Sequence, residues 1–322
     1  MKNIIAGLFF IGAGLGLTAC NDFLDMTPRD KASDKGVWTS ITTAEYAVNY
    51  IYSYVNDIAA SQCAAGLTEA LTDQLKYGSY NYNALCFIPS EIAYGGSTLT
   101  ANYVDVYLGY WESRYTAIRR TNESLYSLHK YGTLSKEDAA RLEAELRFTR
   151  AYLYFDLMKR YKEAIIYDED MAAIKENKAL GSEKDGWDFI QADLEYAAAN
   201  LPTMENAKGR VNRSMAQAFM TRAMLYAERW EVVKKAAEEV EKAGYALEGN
   251  YTDAYMKEIK DGNKEAIMQY VFDISQNITH NYDFYYTAGG DYTLKGQSGG
   301  GYGTPTQEMV ESYEYAKGGF PD

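Results

Sequence analysis

The residues best suited to hold a ligand gather in two polar stretches. Asp73-Gln74-Leu75-Lys76-Tyr77 runs on through Tyr80, Tyr82 and Asn83, and Asn281-Tyr282-Asp283-Phe284-Tyr285-Tyr286 is followed by Tyr292. A tyrosine offers a flat apolar face and a hydroxyl, and Asp, Asn and Lys supply hydrogen bonds around it. That mixture suits a sugar ring, whose C–H face stacks on an aromatic plane while its hydroxyl rim bonds to polar side chains. The candidate contacts are Asp73, Lys76, Tyr80, Tyr82, Asn83, Tyr282, Tyr285, Tyr286 and Tyr292. The competing reading is ordinary packing, in which the same tyrosines lie over neighbouring helices.

Catalytic patterns are weaker. Gly296-Gln297-Ser298-Gly299-Gly300 has the spacing of a nucleophile elbow, but both histidines, His129 and His280, precede it and its surroundings are loop-like. The glycines up to Gly303 run into Thr304-Pro305 and lack the lysine of a phosphate-binding loop. No His/Cys group has zinc spacing, and Asp168-Glu169-Asp170, without a calcium loop's glycine and terminal glutamate, reads as a solvated acidic turn. A glycosidase carboxylate pair is compatible with 45 acidic residues but has no positive signal. Catalytic residues, metals and cofactors are therefore not expected. A net charge of −13 argues against a nucleic-acid partner, which would need clustered cations to neutralise phosphates.

The N-terminus reads as an address. Met1-Lys2, an apolar run from Ile4 to Leu17 and then Thr18-Ala19-Cys20 follow the order of a secretory signal, and the run is short for a bilayer span. Leu17-Thr18-Ala19-Cys20 fits a bacterial lipobox, in which Cys20 is acylated, for instance with palmitate, after residues 1–19 are removed. Residues 20–38 then form a tether, and the mature protein is anchored on a membrane without crossing it. Cys63 and Cys86 could pair after export or stay as buried thiols.

The elements that must position the two stretches are helical. With 322 residues and 47% apolar content, the chain can bury a large core over residues 39–322. Leu142, Leu146, Thr149, Leu153, Leu157 and Tyr161 recur every three or four residues, with Arg141, Glu145, Arg147 and Lys159 on other faces. Ser135 caps this helix, and Tyr152 and Phe155 form a second apolar side, so it belongs inside a stack. Before it, a helix capped by Thr42 or Thr43 carries Ala47, Ile51, Val55 and Ile58, and another carries Trp111, Tyr115, Ile118, Asn122 and Leu125, with Asn122 as a core amide. After it come a seam of Trp187, Ile190, Leu194, Ala197 and Leu201 stopped by Pro202, and a helix aligning Met215, Phe219, Ala223, Tyr226 and Trp230. A helix with Val233, Ala236 and Val240 closes a hairpin and ends at Gly244. From Ala266 to Ile274 apolar and polar residues alternate, which reads as an extended or β segment. Residues 277–303 read as a long surface loop.

The string Glu143-Ala144-Glu145-Leu146-Arg147 followed by Ala151-Tyr152-Leu153-Tyr154-Phe155-Asp156-Leu157 resembles a helix of SusD/RagB-like proteins, surface nutrient-binding lipoproteins of Bacteroidetes. The resemblance extends through Trp111, Tyr115, Ile118 and Asn122, Asp193-Leu194, Leu201-Pro202, Gly209-Arg210, Leu225-Tyr226, Gly244-Tyr245-Ala246-Leu247 and Glu265-Ala266-Ile267-Met268, in family order. It implies a mainly α fold, a tetratricopeptide-like superhelix of helix pairs with long irregular loops and a short extended segment near 265–274. It also implies an outer-membrane lipoprotein facing outward that binds an oligo- or polysaccharide and delivers it to a SusC-type TonB-dependent transporter. Glycan contacts in the family come from loops at points corresponding to the two tyrosine-rich stretches, and Asp73 falls where an acidic residue is common. The alternative is a tetratricopeptide-like scaffold that binds a protein or peptide without touching glycan. Two departures stand out. Lys162-Glu163-Ala164 replaces the usual glycine and proline turn, and the family's later helix of paired Arg and Glu is not found, so the chain is expected to be a truncated or reduced member.

Overall fold

Side-chain caps set most of the helix starts. The computed structural model describes residues 34–63, 72–77, 110–170, 177–204, 207, 209–273, 275, 278–279, 303–315 and 317–320. In chain order these contain α1 (Asp34–Val37), α2 (Ile41–Cys63), β1 (Leu75–Tyr77), α3 (Trp111–Tyr131), α4 (Lys136–Tyr161) and α5 (Glu183–Asn200). Then follow α6 (Arg213–Tyr226), α7 (Trp230–Lys242), α8 (Tyr251–Met256), a 3-10 turn (Ile259–Asp261), β2 (Gly303–Pro305) and α9 (Gln307–Glu311). Ser135, Ser182, Asn212, Asn250 and Thr306 each accept a first-turn backbone N–H. Each such cap contributes roughly 1 kcal/mol. At Ser182 the side chain of Asp185 returns a bond to the cap backbone, completing a capping box.

The fold is mainly α, as expected, and α4 is its centre. The α3, α5 and α2 helices all pack on α4, and α6 and α7 continue the stack as a hairpin against α5, giving the tetratricopeptide-like succession of helix pairs. Leu142, Leu146, Thr149, Leu153 and Leu157 are buried, and so are Phe148, Ala151, Phe155 and Met158 on the other side. Tyr161, placed last on the stripe, is 36% exposed. The helix ends at Lys162, whose φ of 63° lies in the left-handed region where glycine is ordinarily found. A lysine here thus takes a conformation that favours glycine, at a cost in backbone strain.

Several expectations need correction. Thr42 and Thr43 lie inside α2; the Ser40 carbonyl accepts the first helical N–H at 3.0 Å, and the Thr43 hydroxyl donates back to the Val37 and Ser40 carbonyls. The buried face of α2 is Ala44, Val48, Ile51 and Val55, with Ala47 only partly buried; the Ile58 side chain lies outside the described residues. On α6 the buried residues are Ala216, Phe219, Met220, Ala223 and Met224. Tyr226 and Trp230 are exposed, because α6 stops at Tyr226 and the turn through Glu228, at φ 56°, rotates Trp230 outward. The alternation over 265–274 does not produce a ladder among the described residues. Instead Asn263, 4% exposed, accepts the backbone N–H groups of Glu265 and Ala266, and Gln269 bonds to Ile259 N, so side chains occupy these backbone groups. The bridge Asp273 to Ile278 is isolated.

Glu145, placed off the α4 stripe, and Arg150 on its second face prove to be internal. Glu145 is 1% exposed and accepts bonds from Arg141 Nη1 at 2.9 Å, Tyr52 OH at 2.9 Å and Arg210 Nη2 at 2.6 Å. These tie α2, α4 and the turn before α6 together. Arg150, also 1% exposed, makes a bidentate pair with Asp193 at 2.7 and 2.8 Å and donates to Asn122 at 2.7 Å and Glu169 at 2.6 Å. Asn122 is the core amide anticipated, its Nδ2 donating to the Tyr167 carbonyl at 3.0 Å. Glu169 is not the solvated turn residue that its acidic neighbours suggested. A buried charge is tolerable only when paired and hydrogen-bonded, and each of these is.

Candidate functional site

The described part of the first tyrosine-rich stretch pairs with residues 303–305, on the C-terminal side of the second, in a two-stranded antiparallel ladder. Leu75 pairs with Pro305, Lys76 with Thr304 and Tyr77 with Gly303. Neither strand was legible in the sequence, being three residues long. The register is fastened at one end by Thr306: its N–H donates to the Gln74 carbonyl at 3.1 Å, and its hydroxyl donates to the Asp73 carbonyl while accepting the Met309 N–H at 3.1 Å. In an antiparallel pair the exit of one strand and the entry of the other lie at the same end. The end of β1 at Tyr77 and the start of β2 at Gly303 therefore share a root.

Asp73 is exposed and stands at the opposite end of this ladder from that root. Lys76 is the central residue of β1. Tyr80, Tyr82, Asn83, Tyr282, Tyr285, Tyr286, Tyr292 and Cys20 lie outside the described residues, as does Cys86 with its question of pairing to Cys63.

Other tyrosines are demonstrably structural. Tyr154 is buried, and its hydroxyl accepts the Tyr167 N–H at 2.7 Å. Tyr115 OH accepts the Ile165 N–H at 2.6 Å, and burial pushes this phenol up to about 12. Tyr52 accepts from Val211 N at 3.2 Å, and burial, followed by the charge of Glu145, holds its pKa well above the ordinary value. These hydroxyls clamp connections onto helices, which is the packing reading realised for this subset.

Among the described residues, cavities open in the helical body, and the three described next contain none of the candidate ligand contacts picked from sequence. One of about 550 Å³ lies beside Trp111, Tyr115, Asn122 and Tyr167. A second, about 620 Å³, is bounded by α4, α6 and the segment at 265–270, with Tyr152, Asp156, Lys159 and Arg222 on its walls. The third, about 510 Å³, lies between α2 and the C-terminal half of α3. Their aromatic residues sit on helices whose periodicity signals core, so the sequence offered no reason to separate them from it. Among the described residues no helix is long and apolar enough to cross a membrane.

Successive helix pairs stacked on a central buried helix, with long connections returning to one small ladder, define a tetratricopeptide-like helical-repeat protein. Residues 22–225 match the SusD-like family model described as starch-binding and associating with the outer membrane. The chain belongs to this SusD-like family. It is 25% identical over 270 residues to a SusD-like protein of Bacteroides ovatus, a match covering 78% of this chain and 46% of that one. A crystal structure of a SusD-like protein from Bacteroides fragilis superposes with a TM-score of 0.71 at 27% identity, over 92% of this chain and 57% of that chain. A laminarin-binding SusD-like protein shares the fold at a TM-score of 0.55 and 18% identity, over 68% of this chain and 50% of the other. The chain spans about half the length of the curated relatives it matches.

Proposed function

We propose that this chain is a glycan-binding surface lipoprotein, anchored in the outer membrane through Cys20, that passes an oligo- or polysaccharide to a SusC-type TonB-dependent transporter. It acts by binding and not by catalysis. The reading rests on family membership, with its starch-binding and outer-membrane description. The observation that supports the site is the pairing of β1, within the first stretch, with β2, which follows the second along the chain. Tyr80, Tyr82, Asn83, Tyr282, Tyr285, Tyr286 and Tyr292 would then supply stacking planes and hydrogen bonds on one side of the ladder. Lys76 would lie at its centre and Asp73 at its far end. One relative of the same fold is laminarin-binding, which makes β-glucan a sensible first probe beside starch.

Affinity electrophoresis against a polysaccharide panel tests this directly. Tyr80→Ala, Tyr82→Ala, Tyr285→Ala and Tyr286→Ala should each weaken retention, by roughly 1 kcal/mol per stacking contact, with unfolding close to wild type. Equal retention by the fourfold variant removes this site. A second reading, a scaffold for a protein or peptide, draws on the exposed Leu225, Tyr226 and Trp230 of the α6–α7 hairpin. It predicts a co-purifying peptide partner and no retention on any glycan.

A further inference from the structure

The cavity between α2 and α3 has features that the packing of the core does not require. Its floor is buried, with Trp38 at 3% and Ile51 at 1% exposure, whereas Tyr50 on its wall is 59% exposed. Core tyrosines of this chain bury their rings and spend their hydroxyls on backbone groups; Tyr50 does neither, its hydroxyl resting 3.2 Å from that of Tyr54. On the α3 side Tyr126 is held in place by Lys130, whose ammonium donates to its hydroxyl at 2.8 Å and lies 5.0 Å from its ring centroid. Tyr131 also borders the cavity, with the same ammonium 5.3 Å from its ring.

Polar groups complete the rim. Glu123 accepts from Arg119 at 2.9 Å and Arg120 at 3.0 Å, and of these the Arg120 guanidinium and the Glu123 carboxylate line the cavity. Ser124 donates to the Arg120 carbonyl at 3.0 Å, the usual resting place of a helical serine. Ser127, 9% exposed, also lines the cavity. A hydroxyl beside aromatic walls suits a ligand that itself carries hydroxyls.

We propose that this cavity is a second saccharide site, taking a short neutral oligosaccharide that stacks on Tyr50 and Tyr126 and bonds to Ser127 and the Arg120–Glu123 pair. The proposal rests on the glycan-binding reading above, but it shares no residue with the β1–β2 ladder or its loops. Neutral sugar is favoured over an acidic one because the two charged residues that line the cavity, Arg120 and Glu123, offset each other. Aromatic planes interleaved with polar side chains fit a polyhydroxylated ring better than a purely apolar ligand.

The test uses the full chain in affinity electrophoresis against soluble starch, laminarin, xylan and pectin. Wild type should be retained by at least one neutral polysaccharide. On that polysaccharide Tyr50→Ala and Tyr126→Ala should each raise the dissociation constant about fivefold or more, Tyr50→Phe should keep most of the affinity, and the fourfold loop variant should retain measurable binding. Tyr50 is exposed, so unfolding temperature should stay put and a loss of retention cannot be ascribed to misfolding. Retention of wild type with unchanged affinity in both cavity variants overturns the second site alone. Complete loss in the loop variant overturns it as well. Absence of wild-type retention on all four polysaccharides overturns the glycan-binding reading and this inference with it.

Discussion

Replacing Arg150 by Met should cost about 3 kcal/mol of stability. The substitution keeps much of the apolar volume but removes the guanidinium that serves Asp193, Asn122 and Glu169 at once. Asp193 has a side chain only 2% exposed, so water cannot replace the lost partner. Breaking such a pair costs about 3 to 5 kcal/mol, because one charge stays buried without compensation. The lower end applies here, since Arg147 Nη1 remains 3.2 Å from Asp193 and keeps part of the charge balanced. With a urea slope of about 3 kcal/mol per molar for a chain of this size, the unfolding midpoint should fall by about 1 M. Adding Asp193→Leu should recover a large share of the loss, because both ends of the pair are then gone and α4 meets α5 through apolar contact. Urea denaturation followed by circular dichroism measures all three proteins. A single variant within about 0.5 kcal/mol of wild type, or a double variant no better than the single, would refute the view that this pair is costly to break and cheap to replace.

Three further outcomes are expected. His129 Nε2 lies 3.0 Å from Glu143, whose hydrogen bond raises the imidazole pKa. Burial alone would raise the Glu143 carboxyl, but hydrogen bonds from His129 and Arg147 overcome it and hold the group at about 2. The His129 contribution to stability is thus complete below its unfolded pKa and lost as pH rises through the raised folded value. That of Glu143 is complete above its ordinary 4.5 and lost as pH falls towards 2. Glu143→Gln should bring the His129 titration, followed by NMR, back down and flatten the acid limb of the stability curve; an unmoved titration contradicts the assignment. Lys162→Gly should raise stability by about 1 kcal/mol by relieving a left-handed non-glycine residue, read as a higher unfolding temperature, and a fall would show that the lysine side chain matters more than its backbone. Cys20→Ala should move the protein from the membrane fraction to the soluble one, because acylation is lost; unchanged fractionation counts against the lipid anchor.

What the sequence reveals and conceals follows from where each signal resides. The stripe of α4 and the cap at Ser135 are local, carried by residues within a turn or two of each other, and both are present as read apart from Tyr161 at the end of the stripe. The burial of Glu145 and Arg150 was hidden because a charged residue on a helix ordinarily marks solvent, and the partners that reverse this lie far along the chain, Asp193 on α5 and Arg210 in the turn before α6. The alternation at 265–274 suggested a strand, yet alternation shows only which faces differ. Whether a ladder forms depends on a partner edge, and there Asn263 takes up the Glu265 and Ala266 N–H groups that a partner strand would need. The real ladder, by contrast, has almost no local signature. It joins three residues near position 76 to three near 304, and its register depends on Thr306 reaching the Asp73 and Gln74 carbonyls. The composition of the two tyrosine-rich stretches was therefore legible, but the pairing of residues 75–77 with 303–305 was not. A sugar ring must be touched from more than one side to be held, so the proposed single site would depend on this long-range pairing more than on the count of tyrosines.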